Sequence, residues 1–184
     1  LMQLNDFSAA TKTLDTVKIY LDSVKSNKAE PLITLAQMSI YKYKYKEAIP
    51  YLESAIKETN QIQSRTRWPY ILAQLYEHEK KYDLSLRNYT KVENSNAPFE
   101  MYFNAKLSKI RINDALNEVR INRKTALLKL LKDDKNLDYT DQIYYEVAED
   151  YYADNNFEKA KIYYQLSAQN SKNNPYQKGL SYLK

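Results

Sequence analysis

Residues 69–92 read PYILAQLYEHEKKYDLSLRNYTKV, and the same order of residue types returns at 31–56 (PLITLAQMSIYKYKYKEAIPYLESAI) and 144–168 (YYEVAEDYYADNNFEKAKIYYQLSA). Each stretch carries a small residue in mid-segment (Ala36, Ala73, Ala148) and a second one twelve positions later (Ala48, Ser85, Ala160). An aromatic stands three positions before the second small residue (Tyr45, Tyr82, Phe157), and a bulky side chain stands four after it (Leu52, Tyr89, Tyr164). The stretches are offset by 37 and 75 residues, which sets a period of 37 to 38. Two antiparallel helices cross closely only where both present small side chains, and a large aromatic at the turn covers the end of the pair. The spacing therefore predicts a helical hairpin, repeated along the chain.

The remaining sequence fits the same unit with two departures. NDFSAATKTLDTV (5–17) matches a second helix, with Phe7, Ala10, Leu14 and Val17 at the aromatic, small, bulky and core places. PFEMYFNAKLSKIRIN (98–113) reads as a first helix with Ala105 as its small residue. DALNEVRINRKTALLKLLKDD then runs long and lacks the second small residue, as an inserted or extended connection would. The expected organisation is one array: 1–28 the end of a preceding repeat, 29–63 and 64–97 repeats, 98–137 an irregular repeat, 138–174 a repeat, and 175–184 the start of a further one. A chain that opens and closes in mid-pattern reads as a fragment. Helices are predicted at Asp6–Ser23, Glu30–Tyr43, Lys46–Thr59, Arg65–Lys80, Asp83–Glu93, Pro98–Asn113, Asn117–Leu131, Tyr139–Asp154, Phe157–Asn170 and Pro175–Lys184. The fold class is all-α, a solenoid of antiparallel helical hairpins wound as a right-handed superhelix.

Composition agrees and narrows the chemistry. The 184 residues are 43% hydrophobic, enough for a continuous core, and hold one glycine, Gly179, and five prolines. Few positions can then take the positive φ that tight hairpin turns between strands need, which argues against a sheet-rich fold. No cysteine is present and His78 is the single histidine, so thiolate chemistry, zinc sites and histidine-activated nucleophiles have no residues to build them. Phosphate-cradling loops need several glycines and calcium loops a glycine at fixed spacing; neither exists. We expect no enzyme activity, no metal and no cofactor. No run of apolar residues is long enough to span a bilayer, and the N-terminus has no signal-peptide pattern.

The net charge of +5 is uneven. Eight basic residues lie between Lys106 and Lys132 against Asp114 and Glu118, whereas the segment from Asp141 has five basic and six acidic residues. Such a run could track nucleic acid. Interleaved as RINRKTALLKLLK, it reads instead as an amphipathic helix with Leu127, Leu128, Leu130 and Leu131 buried and the cations outside, and no nucleic-acid partner is expected. The carboxylates Asp133, Asp134, Glu146, Glu149, Asp150 and Asp154 read as helix-end charge and solvated faces.

The spacing resembles the tetratricopeptide repeat over most of the chain, with Leu32, Pro69 and Tyr144 at the tryptophan-like place and no glycine at the small one. Within the C-terminal third, LLKDDKNLDYTDQIYY and NFEKAKIYYQLSAQNSKNNPYQKGLSYLK resemble the SprE/PorW family of type IX secretion and gliding-motility lipoproteins of Bacteroidetes. That resemblance implies a periplasmic scaffold on the inner face of the outer membrane, tethered through a lipid anchor outside this sequence. Its implied partners are the outer-membrane translocon and other periplasmic components. The alternative is a cytosolic tetratricopeptide-repeat adaptor that binds an extended peptide.

In such an array first helices line a concave surface. One helical step away from the inward faces lies a strip of Ile33, Gln37 and Tyr41, then Arg67, Tyr70, Gln74 and His78, then Tyr102, Lys106 and Lys109, then Tyr145, Glu149 and Tyr152. Aromatics among amides and charges have the composition of a protein-binding surface. Packing of single tyrosines on a neighbouring hairpin is the competing reading. A clamp for a C-terminal carboxylate needs lysines and asparagines on successive first helices, and Ile33, Gln37, Tyr70, Gln74, Tyr145 and Glu149 stand there instead.

Overall fold

A computed structural model describes residues 7–23, 28–59, 61–116 and 121–184. Its helices are α1 (Phe7–Ser23), α2 (Ala29–Tyr41), α3 (Tyr45–Glu58), α4 (Ile62–Arg65), α5 (Arg67–His78), α6 (Tyr82–Glu93), α7 (Phe99–Leu116), α8 (Ile121–Leu130), α9 (Thr140–Ala153), α10 (Phe157–Asn170) and α11 (Pro175–Tyr182). No strand occurs among the described residues. The chain forms two compact units, residues 1–109 and 110–184. Two elements escaped the sequence reading. The helix expected from Arg65 is broken at Thr66 (φ −119°, ψ −80°), which leaves α4 as a separate turn, and residues Asp134–Tyr139 form a 3₁₀ helix ahead of α9.

The small-residue pairs are where the helices meet. Ala36 and Ala48 are buried in one apolar cluster, as are Ala148 and Ala160 in another. Between α5 and α6 the approach is close enough for Ser85 Oγ to donate to the Ala73 carbonyl at 2.8 Å. The bulky places are filled as the pattern predicts, with Leu52, Tyr89 and Tyr164 all buried. The turn aromatics divide: Tyr45 packs on the α2/α3 cluster, but Phe157 is 55% exposed, with its ring edge-on to Tyr152. The side chains of Phe7, Ala10 and Leu14 are not among those described; Val17 packs with Leu21 against Leu35 and Met38.

The turns correct a premise drawn from composition. Tyr43, Lys80 and Asn155 adopt left-handed backbone (φ 58°, 57° and 58°), each seven residues after its small residue. In all three turns the residue after the left-handed one donates back over five residues: Lys44 to Ser39, Lys81 to Tyr76 and Asn156 to Tyr151, at 2.8–2.9 Å. The left-handed residue itself donates to the carbonyl three back. This Schellman closure satisfies carbonyls that the helix end would orphan. Gly179, the single glycine of the chain, sits instead in α11 with ordinary φ and open space around it.

In the first unit, one apolar cluster runs from α2 and α3 into α5 through Leu52, Ala55, Trp68, Leu72, Leu75 and Tyr76. Trp68 is buried beside Pro69, so the large aromatic stands one place before the position assigned to it in the repeat. In the second unit Ser167 Oγ donates to the Asp141 carbonyl (2.7 Å), Ser167 and Ser181 hydroxyls meet at 2.8 Å, and buried Asn136 donates to the Leu130 carbonyl at 2.9 Å.

Candidate interaction surfaces

The predicted strip divides into residues that face solvent and residues held by neighbours. On α2 and α5, Gln37, Tyr41, Arg67, Gln74 and His78 are exposed. Ile33 is half-buried against the apolar cluster. Tyr70 is half-buried with its ring edge-on to buried Tyr89 at 5.8 Å. The His78 ring meets Tyr45 edge-on at 4.5 Å. On α7, the Lys106 ammonium lies 3.2 Å from the Tyr102 hydroxyl and 5.3 Å over the ring, and Lys109 pairs with Glu93 of α6.

The tyrosine pairs of α9 depart most from expectation. Tyr144 packs on Tyr163 at 6.1 Å and Tyr151 stacks on the same ring at 5.4 Å, both inside the α9/α10 hairpin. Tyr145, predicted one step round and outward, instead meets Tyr164 edge-on at 5.5 Å and joins the α9/α10 cluster. Glu149 accepts from the Tyr164 hydroxyl and lies 3.2 Å from the Lys184 ammonium. Of the three only Tyr152 is exposed, at 48%. The reason is geometric: α9 is packed by α8, α10 and α11, so faces 100° apart both find protein.

Burial raises the hydroxyl pKa of Tyr76, Tyr89, Tyr145 and Tyr164, reinforced by the carboxylates of Glu53, Glu77 and, for the last two, Glu149. These phenols are therefore donors at neutral pH: Tyr76 to Glu53, Tyr89 to Glu77 (2.9 Å), Tyr164 to Glu149. They tie neighbouring helices together.

The basic run divides: Arg111, Lys129 and Lys132 are exposed as expected, whereas Arg123 and Lys124 are held by carboxylates of α9. The Arg123 guanidinium of α8 donates to Glu146 (2.6 Å) and to Asp150 (2.9 Å) of α9, and Lys124 pairs with Asp154 while its ammonium lies 4.6 Å over the Tyr151 ring. Asp150 is 4% exposed and Arg123 has 15% of its side chain exposed. Burial pushes the Asp150 carboxyl up, Arg123 opposes that, and Asp114 adds to it. Glu146, Asp150 and Asp154, expected on solvated faces, are thus the partners of the cations expected outside. Leu127 and Leu130 are buried as predicted; Leu128 and Leu131 are half-buried. Arg120 lies outside the described residues.

A second feature has no counterpart in the sequence reading. A cleft of about 720 Å³ opens in the first unit between the end of α3, α4, the start of α5 and the end of α6. Arg65, Arg87 and Lys91 line it, with Ile56, Ile62 and Pro69. The only advance signal was the spacing of Arg87 and Lys91, four apart on one helix face. Among the described residues no three metal-binding side chains are grouped to hold an ion, and no helix is long and apolar enough to cross a membrane.

No protein-family model matches the chain, and no curated protein matches it. Among solved structures it is similar to MamA MSR-1 C2, a tetratricopeptide-repeat protein, at 17% identity and a TM-score of 0.55 over 88% of this chain and 94% of that one. The likeness shows the fold: all-α, of tetratricopeptide-repeat type.

Proposed function

We propose that this chain is a noncatalytic scaffold that binds other proteins through the outward faces of its first helices. The observation that supports it most is the pairing of a repeat-type fold with exposed aromatics among amides and charges. Tyr41 and Tyr152 are 44% and 48% exposed, with Gln37, Arg67 and Gln74 also in solvent. Large rings at exposed positions of a rigid helical frame offer contact area at low entropic cost. The finer reading, a structural component of type IX secretion and gliding motility at the periplasmic face of the outer membrane, rests on the C-terminal resemblance. A cytosolic adaptor for an extended peptide is equally compatible with the fold.

The test is a pull-down of the full-length protein from its native cells, wild type against Tyr41→Ala, Gln74→Ala and Tyr152→Ala combined. These positions are exposed, so the variant should keep its helical content. Loss of captured partners supports the strip; unchanged capture places binding elsewhere. Outer-membrane translocon components among the captured proteins favour the secretion reading, and soluble cytosolic partners favour the adaptor.

A further inference from the structure

The cleft of the first unit is electropositive by construction. Arg65 comes from α4, and Arg87 and Lys91 stand one turn apart on α6; all three are exposed. Among the described residues no carboxylate lines the cleft, and none of these three cations is in an ion pair. Some cations elsewhere are paired, with a carboxylate within 4 Å of Lys44, Lys46, Lys109, Arg123 and Lys124; what sets these three apart is that they share one concavity. Three like charges converging on one concavity repel one another and are stabilised by an anion placed between them.

The walls say which anion. Ile56, Ile62 and Pro69 supply apolar lining, while Thr90 of α6 and Asn94 and Ser95 just after it supply hydroxyl and amide groups. Among the described residues no aromatic ring lines the cleft, so nucleic-acid bases have no stacking platform there. The guanidinium forks of Arg65 and Arg87 match carboxylates in two-point contact. A volume of about 720 Å³ holds several side chains rather than a lone ion.

We infer that this cleft binds an acidic peptide segment of a protein partner, its carboxylates on Arg65, Arg87 and Lys91 and an apolar side chain against Ile56, Ile62 and Pro69. This site uses none of the strip residues of α2, α5 or α9, so it stands or falls apart from the scaffold reading given above.

The experiment is fluorescence anisotropy of the full chain with a labelled peptide of alternating Glu and Leu, beside the same peptide with Gln for Glu. The acidic peptide should bind at least tenfold tighter than its amide twin and weaken steeply from low to high salt. Arg87→Gln with Lys91→Gln should reduce affinity tenfold or more, whereas Lys129→Gln, an exposed cation of the second unit, should leave it unchanged. All these positions are exposed, and circular dichroism checks that the variants remain helical. Equal binding of the two peptides, or an unchanged affinity in the double variant, would overturn the proposal. So would binding of inorganic phosphate at the cleft without binding of the acidic peptide.

Discussion

The α5/α6 hairpin of the first unit and the α9/α10 hairpin of the second share one internal plan. Small residues sit at the crossing, a buried tyrosine donates to a glutamate across the hairpin, and a left-handed residue closes the turn. Outside the hairpin they differ. α5 joins its neighbour α3 through Trp68, Leu72, Leu75 and Tyr76, a continuous apolar seam with polar ties from Tyr76 to Glu53 and, at its end, from Lys46 to Glu79. α9 joins its neighbour α8 through Arg123, which reaches Glu146 and Asp150, and Lys124, which pairs with Asp154. The repeat therefore specifies the hairpin, and each contact between hairpins is solved locally. An apolar seam tolerates repacking; a buried ion network does not tolerate the loss of one member.

Truncating the two seams should produce the largest effects. Trp68→Ala leaves a cavity in the first unit and should cost about 3–5 kcal/mol. Arg123→Ala strands Asp150 and Glu146 and should cost about 3–5 kcal/mol in the second. Hydrogen exchange of the full chain checks both, since each variant should lower protection in its own unit. If Arg123→Ala cost no more than an exposed ion pair, under about 1 kcal/mol, the contrast between the seams would not be energetic.

A smaller effect separates the turns. Left-handed backbone costs an ordinary side chain about 1–2 kcal/mol, whereas asparagine visits it readily. Part of the relief that glycine brings is offset by its greater freedom in the unfolded chain. Tyr43→Gly and Lys80→Gly should each gain about 0.5–1 kcal/mol, and Asn155→Gly only a few tenths, read from urea midpoints. Equal gains at all three positions would show that the turns differ less than their residues suggest.

The finest difference is in pH dependence. The Asp150 carboxyl is held above its ordinary value by burial, so between that value and its folded one the native state binds the extra proton. Its stabilising contribution is fully present below the unfolded value and is lost as pH rises through the folded one. The stability of wild type relative to Asp150→Asn should therefore rise on acidification, measured by urea unfolding with protection of α9 as the readout. A difference that falls on acidification would mean that Arg123, not burial, dominates the site.

Much of this was legible in advance. Every small-residue pair of the three clear repeats meets at a helix crossing, because close approach of two backbones leaves room for nothing larger. Phe157 and Tyr145 were misplaced because periodicity describes a face of one helix and not what covers it. Tyr145 lies on Tyr164, while the aromatic at the α9/α10 turn stays in water.

The sequence by itself determined an all-α repeat of helical hairpins, since a period of 37 to 38 with small residues twelve apart admits little else. Only the tertiary structure decided the fate of charge and of the paired tyrosines. Arg123 was drawn inward by Asp150 and Glu146, which are 27 and 23 residues away in sequence, while Arg65, Arg87 and Lys91 were left to converge on an open cleft. Helical periodicity is set by neighbours three and four residues apart, whereas pairing and desolvation depend on groups that meet only once the helices have packed.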